Sequence, residues 1–323
     1  MRATLLLLTF NQESFVREAA LNCLAQDCEP IEIIFSDDAS SDQTFQVLQE
    51  IAQSYTGPHR LIVRRNETNA GIGEHYNQLI ALAGGSLLVT AAGDDISEVS
   101  RVGKVLAAWD RADQVPDLIS SDLVSIGDRG EVLRRITVDD LRAWQSPSQW
   151  LKQRPYVVGA GHAFTKRLHQ RFGPFLRHLS YEDQVMALRA SCLGGGLTIR
   201  EPLVKYRSGG LSGRQQSFEN GEAYRRYLLK RHSSHLGMYE QVQADLTTFG
   251  MPELFPRKMR ARLTRASVFV AMLQAPSMHV RMGIARQYLF KNISAFVACI
   301  QAFSIASAAG LFAWRSRAFT SRP

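Results

Sequence analysis

The fold is decided by residues 4–38, which are TLLLLTFNQESFVREAALNCLAQDCEPIEIIFSDD. Two apolar runs in this stretch, residues 4–10 and 31–36, have the length and the aliphatic content of buried strands. Between them, residues 15–26 place apolar side chains at helical spacing. A strand, a helix and a second strand in this order predict a βαβ unit, in which the two strands run parallel.

The alternation of strands and helices continues along the chain. A helix is predicted after the second strand, where Ser40 and Gln43 have the spacing of a capping box at a helix start. Residues 61–65 and 86–92 are predicted strands, and residues 74–83 are a predicted helix between them. This order predicts an α/β fold with a mostly parallel central sheet covered by helices on both faces.

The pattern changes in the second half of the chain. Residues 118–133 predict two strands around a glycine-containing turn, and residues 139–152 predict a helix. The stretch YEDQVMALRASCLGGG, residues 181–196, predicts a helix opened by acidic residues and ended by glycines. From about residue 218 the pattern is helical, so we expect a helical C-terminal region after the α/β part.

Composition is that of an ordinary globular protein, with 323 residues, 45% hydrophobic and 21% charged. The four cysteines form no CxxC pair and have no metal-ligand spacing. This argues against a disulfide framework and a zinc site, and favours a reducing compartment. The N-terminal apolar run meets Asn11, Gln12 and Glu13 without a cleavage site, so we interpret it as a strand and not as a signal peptide.

Positive charge is concentrated at the C-terminal end of the chain. The net charge is +8, and residues 254–323 carry 11 Lys or Arg and no Asp or Glu. Within them, the uncharged residues 292–314 have about the length that spans a bilayer. We expect this segment to lie on an anionic membrane surface; a single membrane span and a helix packed on the protein's own domain are the alternatives. Nucleic acid is not an expected partner, because the basic residues are interleaved with apolar ones and not with a stacking platform.

Polar residues collect where the predicted strands end. After the four strands in turn they are Thr9, Asn11 and Glu13; Asp37 and Asp38; Asn69 and Gly71; and Asp94 and Asp95. In α/β sheets ligands bind beyond the carboxyl ends of the strands, so we expect these residues to line one cleft. A carboxylate there can accept hydrogen bonds from a ribose or a nucleobase, and helix capping is the alternative role for Asp38. The sequence contains neither GxGxxG nor GxxxxGK[ST], so a dinucleotide fold and a P-loop are not supported.

The adjacent carboxylates Asp94 and Asp95 follow a predicted buried strand. Two like charges at such a position repel each other and raise each other's pKa unless something positive lies beside them. Oxygen ligands at a strand end, completed by diphosphate oxygens and water, suit Mg²⁺ or Mn²⁺. A solvated pair of aspartates in a loop is the alternative.

Further candidates lie in the middle of the chain. Glu182 and Asp183 lie at the start of a predicted helix. They are candidate acid–base groups, and the alternative is that their charges only stabilise the helix start. Arg207, in LVKYRSGGLSGRQQS, is predicted to line an anion site, and a solvated loop is the alternative. His162, in GAGHAF, lies where an acceptor wall is expected, with a purely structural role as the alternative.

Three segments carry a resemblance to a known family. They are residues 4–44, residues 66–96 (NETNAGIGEHYNQLIALAGGSLLVTAAGDDI) and the ED pair before the helix at residue 182. In this order, over roughly residues 3–210, they resemble the inverting family 2 glycosyltransferases of the GT-A fold. The resemblance implies a nucleotide-diphosphate sugar as donor.

The resemblance also implies a role for each cluster. By the family pattern, Thr9, Asn11 and Glu13 would contact the base and ribose, and Asp38 the base. Asn69 and Gly71 would line the donor pocket, Asp94 and Asp95 would form the metal-binding motif, and Asp183 would be the catalytic base. We further expect Glu182, His162 and Arg207 to lie on the acceptor side. Many members have a further aspartate where this chain has Ala92, which leaves open which of Asp94 and Asp95 holds the metal. The QxxRW signature of processive members is missing, which favours transfer of a single sugar.

The expected organisation is a GT-A domain over residues 1–215, with a nucleotide-binding half (1–100) and an acceptor half (101–215). A basic helical region that associates with the membrane would follow over residues 216–323. This organisation implies a cytoplasmic enzyme, peripheral on the inner face of the cytoplasmic membrane.

The expected function is the metal-dependent transfer, with inversion, of one hexosyl or deoxyhexosyl unit to a glycan or lipid-linked acceptor. Its expected setting is the synthesis of cell-surface polysaccharide or glycolipid. Transfer to polyprenyl phosphate is an alternative, and glycoside hydrolysis by paired carboxylates is a rival reaction. The non-enzymatic alternative is a degenerate, membrane-associated module that binds a sugar nucleotide.

Overall fold

The start of the chain folds as the predicted βαβ unit. The computed structural model describes residues 1–208, 221–288, 297 and 299–302. The unit consists of β1 (Ala3–Thr9), α1 (Val16–Leu24) and β2 (Glu32–Asp37), and the two strands are parallel, with Thr4 opposite Glu32. Every residue of both strands is buried, which explains why their sequences are continuous apolar runs and do not alternate.

The parallel part of the sheet has the strand order β3-β2-β1-β4. The elements that complete it are α2 (Thr44–Ser54), β3 (Arg60–Arg65), α3 (Ile72–Leu82) and β4 (Leu87–Ala92). Alternate side chains of the strands, such as Leu5, Leu7 and Ile33, form one apolar core with residues of α1 and α2. The predicted α/β class is therefore confirmed, and the carboxyl ends of the four strands meet at one edge of the sheet.

Beyond β4 the sheet becomes mixed. The elements are β5 (Ile96–Ser97), α4 (Arg101–Arg111), β6 (Leu118–Ile126), β7 (Val132–Ile136), α5 (Pro147–Lys152), β8 (Ala163–Thr165), α6 (Lys166–Phe172), α7 (Glu182–Cys192) and β9 (Leu197–Arg207). Over the described residues the sheet has nine strands, in the order β3-β2-β1-β4-β8-β6-β9-β5, with β7 paired to β6. β5 runs antiparallel to β9, and this pairing brings the end of β9 beside the turn that follows β4.

The predicted helix over residues 139–152 is wrong in its first half. The structure has one turn of 3-10 helix at Leu141–Ala143 and begins α5 only at Pro147. Ser146 is extended, with φ −148° and ψ 151°. Proline disfavours the helical conformation in the residue before it, so the helix begins at the proline itself.

The predicted capping box is also wrong, because α2 begins at Thr44 and not after Ser40. The backbone N–H of Ser40 donates to Asp37 Oδ2 at 2.9 Å. At the actual helix start, the N–H of Thr44 donates to Asp42 Oδ1 at 3.0 Å, and the N–H of Gln43 donates to Glu13 Oε2 at 2.9 Å. Part of the cap thus comes from the loop after β1, which local sequence spacing does not reveal.

The chain folds as two compact units, Met1–Arg214 and Gln215–Pro323. The described helices of the second unit are α8 (Gly221–Thr248), α9 (Arg257–Gln274) and α10 (Met278–Tyr288). They share an apolar core that includes Leu228, Phe269 and Met272. Within the described ranges, no helix has both the length and the apolar character needed to cross a membrane.

Most of the predicted membrane segment, residues 292–314, lies outside the described residues. Of the residues that are described, Cys299 and Ala302 are buried in the core of the second unit. Val297 and Ile300 are exposed. Association of this segment with a membrane stays a prediction.

Candidate active site

Asp37 holds the turn at the end of β2. It is fully buried, and its Oδ2 lies 3.3 Å from Nε of Arg65 in addition to accepting the Ser40 N–H. Thr9, at the end of β1, is also buried, and its hydroxyl donates to the carbonyl oxygen of Ser36 at 3.1 Å. The side chains of Asp37 and Thr9 therefore build the edge of the sheet.

Asp38 organises the segment that leads into α3. Its carboxylate accepts Nδ2–H of Asn66 at 2.7 Å and the backbone N–H groups of Ala70 and Gly71 at 2.8 and 3.0 Å. Asn69 is exposed, and its Oδ1 also accepts the N–H of Gly71, at 3.1 Å. Three of the predicted donor-binding residues, Asp38, Asn69 and Gly71, are thus brought together by direct hydrogen bonds.

Asn11 and Glu13 are exposed and join the loop after β1 to the loop before α2. Asn11 has φ +50°, and its Oδ1 accepts the N–H of Ser41 at 2.8 Å. Glu13 accepts the N–H of Gln43, as described for the start of α2. A positive φ in a residue other than glycine is uncommon, and it concentrates at turns and functional sites.

Asn66, which donates to Asp38, belongs to a polar network that was not predicted from the sequence. Nη2 of Arg64 donates to Oδ1 of Asn66, and its Nη1 donates to Oγ of Ser36 at 2.9 Å. Nε2 of His75 lies 2.6 Å from the same Ser36 oxygen, and burial lowers the pKa of His75 to about 4. The signal for Asn66 was its position directly after β3, in NETNAG.

The turn after β4 carries Asp94 and Asp95. A Cβ at Gly93 would lie 2.5 Å from Gln12 Oε1 and 2.7 Å from Thr9 Cγ2, so only glycine allows this close approach. Asp95 is buried and Asp94 is partly exposed. Burial, and then the neighbouring Asp94 charge, raise the pKa of Asp95 to about 8.

The Asp94–Asp95 turn can supply two carboxylates to a divalent cation. Over the described part of the chain, no group of three or more His, Cys, Asp or Glu side chains could hold a metal by itself. A cation here would take its other ligands from water and a bound diphosphate, as Mg²⁺ commonly does. Burial raises the pKa of Asp95, so its charged form is disfavoured in the folded chain, and a divalent cation would stabilise that form. These residues fit an Mg²⁺ or Mn²⁺ site.

Glu182 and Asp183 begin α7 and are partly buried. Oδ1 of Asp183 accepts the N–H of Gln184 at 2.7 Å. Burial raises the pKa of Asp183 to about 6. Burial and the Asp183 charge raise the pKa of Glu182 to about 8. Burial therefore disfavours the charged form of both carboxyls, and the Asp183 charge adds to this effect at Glu182.

Gly159 connects this pair to β4. A Cβ at Gly159 would lie 3.2 Å from Glu182 Oε1 and 3.5 Å from Asp183 Cβ, so the two residues lie directly against its backbone. The carbonyl oxygen of Gly159 accepts the hydroxyl of Thr90, in β4, at 2.9 Å. The strand that leads to Asp94 is thus hydrogen-bonded to the turn beside the Glu182–Asp183 pair.

Two further buried groups were missed from the sequence. Tyr76 lies on the buried face of α3, and burial together with the charge of Glu182 raises its pKa. Arg101, in α4, donates through Nη1 to Ser97 Oγ at 2.9 Å and through Nη2 to the carbonyl oxygen of Ala160 at 2.6 Å. Both occupy apolar-patterned faces of helices, where the sequence offered no signal for a polar role.

His162 and Arg207, two of the residues predicted on the acceptor side, are both buried. Over the described residues, neither ring nitrogen of His162 has a hydrogen-bond partner, and burial lowers its pKa to about 3. The guanidinium of Arg207 contacts protein oxygens, among them the carbonyl of Asp94 at 2.9 Å. A direct acceptor contact by either residue stays a prediction.

Part of the chain matches a known protein family. Residues 4–147 match the model of glycosyl transferase family 2. An uncharacterised protein of Mycobacterium tuberculosis, Rv1520, is 37% identical over 89 residues, which are 27% of this chain and 25% of that protein. The chain thus spans about a quarter of the length of the curated relatives that it matches first.

Two solved structures share the fold. The first is residues 1–349 of TarS from S. aureus in complex with UDP-GlcNAc, which is 15% identical in sequence to this chain. The match covers 94% of this chain and 90% of the TarS chain, with a TM-score of 0.56. The second is the mannosyltransferase PcManGT from Pyrobaculum calidifontis in complex with GDP-Man and Mn²⁺, which is 16% identical to this chain. The match covers 95% of this chain and 87% of the PcManGT chain, with a TM-score of 0.53. The chain therefore has the α/β GT-A fold, and its residues 4–147 match the model of glycosyl transferase family 2.

Proposed function

We propose that this chain transfers a single sugar from a nucleotide-diphosphate sugar to an acceptor hydroxyl, with inversion and with the help of Mg²⁺ or Mn²⁺. The observation that carries the proposal is the hydrogen bond from Thr90 to Gly159. It joins the strand that leads to the Asp94–Asp95 pair with the turn that touches the Glu182–Asp183 pair. One pair suits a cation beside a diphosphate, and the other suits removal of a proton from an acceptor.

Asp183 is the base in this proposal. Its raised pKa, about 6, leaves it ionised at neutral pH and makes it a stronger base than an exposed aspartate. The acceptor oxygen forms a bond to the anomeric carbon as its proton passes to Asp183, and the bond from that carbon to the diphosphate oxygen breaks. Burial and the Asp183 charge favour the protonated form of Glu182, which limits the negative charge beside the base.

Asp94 and Asp95 would hold the divalent cation. When bound, Mg²⁺ or Mn²⁺ supplies positive charge that stabilises the diphosphate as it leaves. Asp38, Asn69 and Gly71 would bind the base and the donor at the other strand ends. The solved proteins with this fold that contain UDP-GlcNAc or GDP-Man support a nucleotide-diphosphate sugar as the class of donor.

A membrane-linked acceptor is supported by the surface of the second unit. The exposed basic residues of α9 are Arg257, Lys258, Arg260, Arg262 and Arg265. On α10, Met278, Val280 and Met282 are exposed. Basic and apolar side chains together suit an anionic lipid surface, and a glycan or lipid-linked acceptor in surface polysaccharide or glycolipid synthesis would be presented there.

The test is release of nucleotide from a panel of UDP- and GDP-sugars, with glycan, lipid-linked and polyprenyl-phosphate acceptors and with Mn²⁺. We expect Asp183→Asn to lower the transfer rate by about 10²- to 10⁴-fold while nucleotide binding is unchanged, because only the proton transfer is lost. Asp113→Asn, the same change at an exposed loop residue, is the control and keeps full activity. Wild-type transfer rates in Asp183→Asn would refute the role of Asp183, and hydrolysis of simple glycosides without a nucleotide would favour the rival reaction.

A further inference from the structure

Arg207 occupies a junction of three elements. It is the last residue of β9, where it pairs with Ile126 at the end of β6. Its side chain is only 2% exposed. The turn after β6 and the helix α1 both contribute contacts to it, so the side chain connects the end of β9 with that turn and with α1.

Arg207 holds both aspartates of the turn after β4. Its backbone N–H donates to Asp95 Oδ1 at 2.8 Å. Its side-chain Nε donates to the carbonyl oxygen of Asp94 at 2.9 Å. One contact fixes a carboxylate directly, and the other fixes the backbone from which the second carboxylate projects.

The other donors of the guanidinium are held on the far side. Nη1 donates to the carbonyl oxygens of Gly127 and Asp128 at 2.8 and 2.9 Å. Nη2 lies 3.2 Å from Glu18 Oε2, and the guanidinium carbon lies 4.4 Å from the centre of the Phe15 ring. Each guanidinium nitrogen therefore has a protein acceptor, and the side chain bridges the aspartate turn to the turn after β6.

The geometry of this bridge requires arginine. A guanidinium donates from three nitrogens in a fixed plane, whereas a lysine ammonium donates from one atom at the end of a flexible chain. Lysine would keep the positive charge near Asp95 but could not reach Asp94, Gly127 and Asp128 together. Charge and bridging are thus separable by a single substitution.

We propose that Arg207 is a positioning residue that holds the Asp94–Asp95 turn in the conformation that accepts a divalent cation. The proposal rests on the proposed function, because it concerns the cation that the transfer reaction uses. It assigns Arg207 a role away from the acceptor. Residues that orient metal-binding carboxylates typically contribute about 10- to 100-fold to metal affinity.

The test is Mn²⁺ binding by the full chain in the presence of UDP and, in a parallel series, GDP, followed by the EPR signal of free Mn²⁺. We expect Arg207→Gln and Arg207→Lys each to raise the Mn²⁺ concentration for half-saturation by about tenfold or more. Nucleotide binding without metal is expected to stay within twofold of wild type. Arg134→Gln, on the exposed strand β7, is the matched control and behaves as wild type.

Several results would overturn the inference. If Arg207→Lys binds Mn²⁺ like wild type, positive charge alone explains the effect. If Arg207→Gln does so as well, the bridge has no role. Should neither variant fold, Phe15→Leu decides: it removes the ring beneath the guanidinium, and we expect a rise of about threefold, whereas an unchanged Mn²⁺ requirement contradicts the inference. If wild type binds neither nucleotide with Mn²⁺, the proposed function fails first and the inference falls with it.

Discussion

The carboxylates at the end of β2 and those at the end of β4 are both at the same edge of the sheet, but their surroundings stabilise the negative charge to different extents. At β2, Asp38 accepts three N–H groups from Asn66, Ala70 and Gly71 within 3.0 Å. At β4, burial and a neighbouring like charge raise the pKa of Asp95 to about 8. The Asp38 carboxylate thus has three N–H donors, whereas burial disfavours the charged form of Asp95.

This difference separates stability from chemistry. A carboxylate surrounded by donors stabilises the folded chain, because removing it leaves buried donors unpaired. A carboxylate with a raised pKa is strained in its charged form, and it is stabilised only when a cation or a proton arrives. We therefore expect a substitution of Asp37, which is held by protein donors and Arg65, to affect folding, and substitutions at β4 and α7 to affect binding and rate.

The largest expected effect is that of Asp95→Asn on metal binding. The amide oxygen can still accept the Arg207 N–H, but the negative charge that attracts the cation is lost. We expect the Mn²⁺ requirement for nucleotide binding to rise beyond the range of about 10- to 100-fold that is typical of residues that only support a ligand. The urea midpoint should not fall, since the charge removed is one that the fold destabilises. A wild-type Mn²⁺ requirement would contradict the comparison.

Asp37→Asn is the matched change at β2 and should do the opposite. Here the carboxylate accepts the Ser40 N–H and pairs with Arg65, so an amide leaves the buried site imperfectly paired. Because Arg65 is 44% exposed, we expect a loss of only about 1–3 kcal/mol in the free energy of unfolding, measured by urea denaturation. Mn²⁺-dependent nucleotide binding should stay within twofold of wild type. Unchanged stability with impaired binding would reverse the assignment of the two ends.

A smaller effect is expected from pH. The ionised form of Asp183 is the base, and burial raises its pKa to about 6. At saturating Mn²⁺ and donor, which keep Asp95 ionised, the rate therefore falls as the pH falls through about 6, by roughly tenfold for each further unit, and it is level above that value. The profile of kcat/KM between pH 4.5 and 8 measures this directly. A rate that is unchanged down to about pH 5 would show that the acting group has an ordinary carboxyl pKa.

The sequence predicted the parts of the molecule that depend on local pattern. The apolar runs of β1 and β2 are buried on both faces, so their continuity identified a parallel sheet. Strand-end positions then located Asp38, Asp94 and Asp95, because the topology of such a sheet determines where ligands bind.

The rest depended on contacts between residues far apart in the chain. Arg207 meets Asp94 and Glu18 only after β9 has paired with β6 and β5, and no spacing in the sequence encodes that meeting. Tyr76 and Arg101 lie on the buried faces of helices, and Nη2 of Arg101 donates to the carbonyl oxygen of Ala160, far away in the chain. The predicted capping box of α2 was wrong for the same reason, since Glu13, in the loop after β1, accepts the Gln43 N–H at the helix start.

The most direct test of the central claim is the anomeric configuration of the newly formed glycosidic linkage, measured by proton NMR of the product. Attack by an acceptor that Asp183 has deprotonated is a single displacement at the anomeric carbon. We therefore expect the sugar to be transferred with the configuration opposite to that in the nucleotide donor. A product with the donor's own configuration would contradict it.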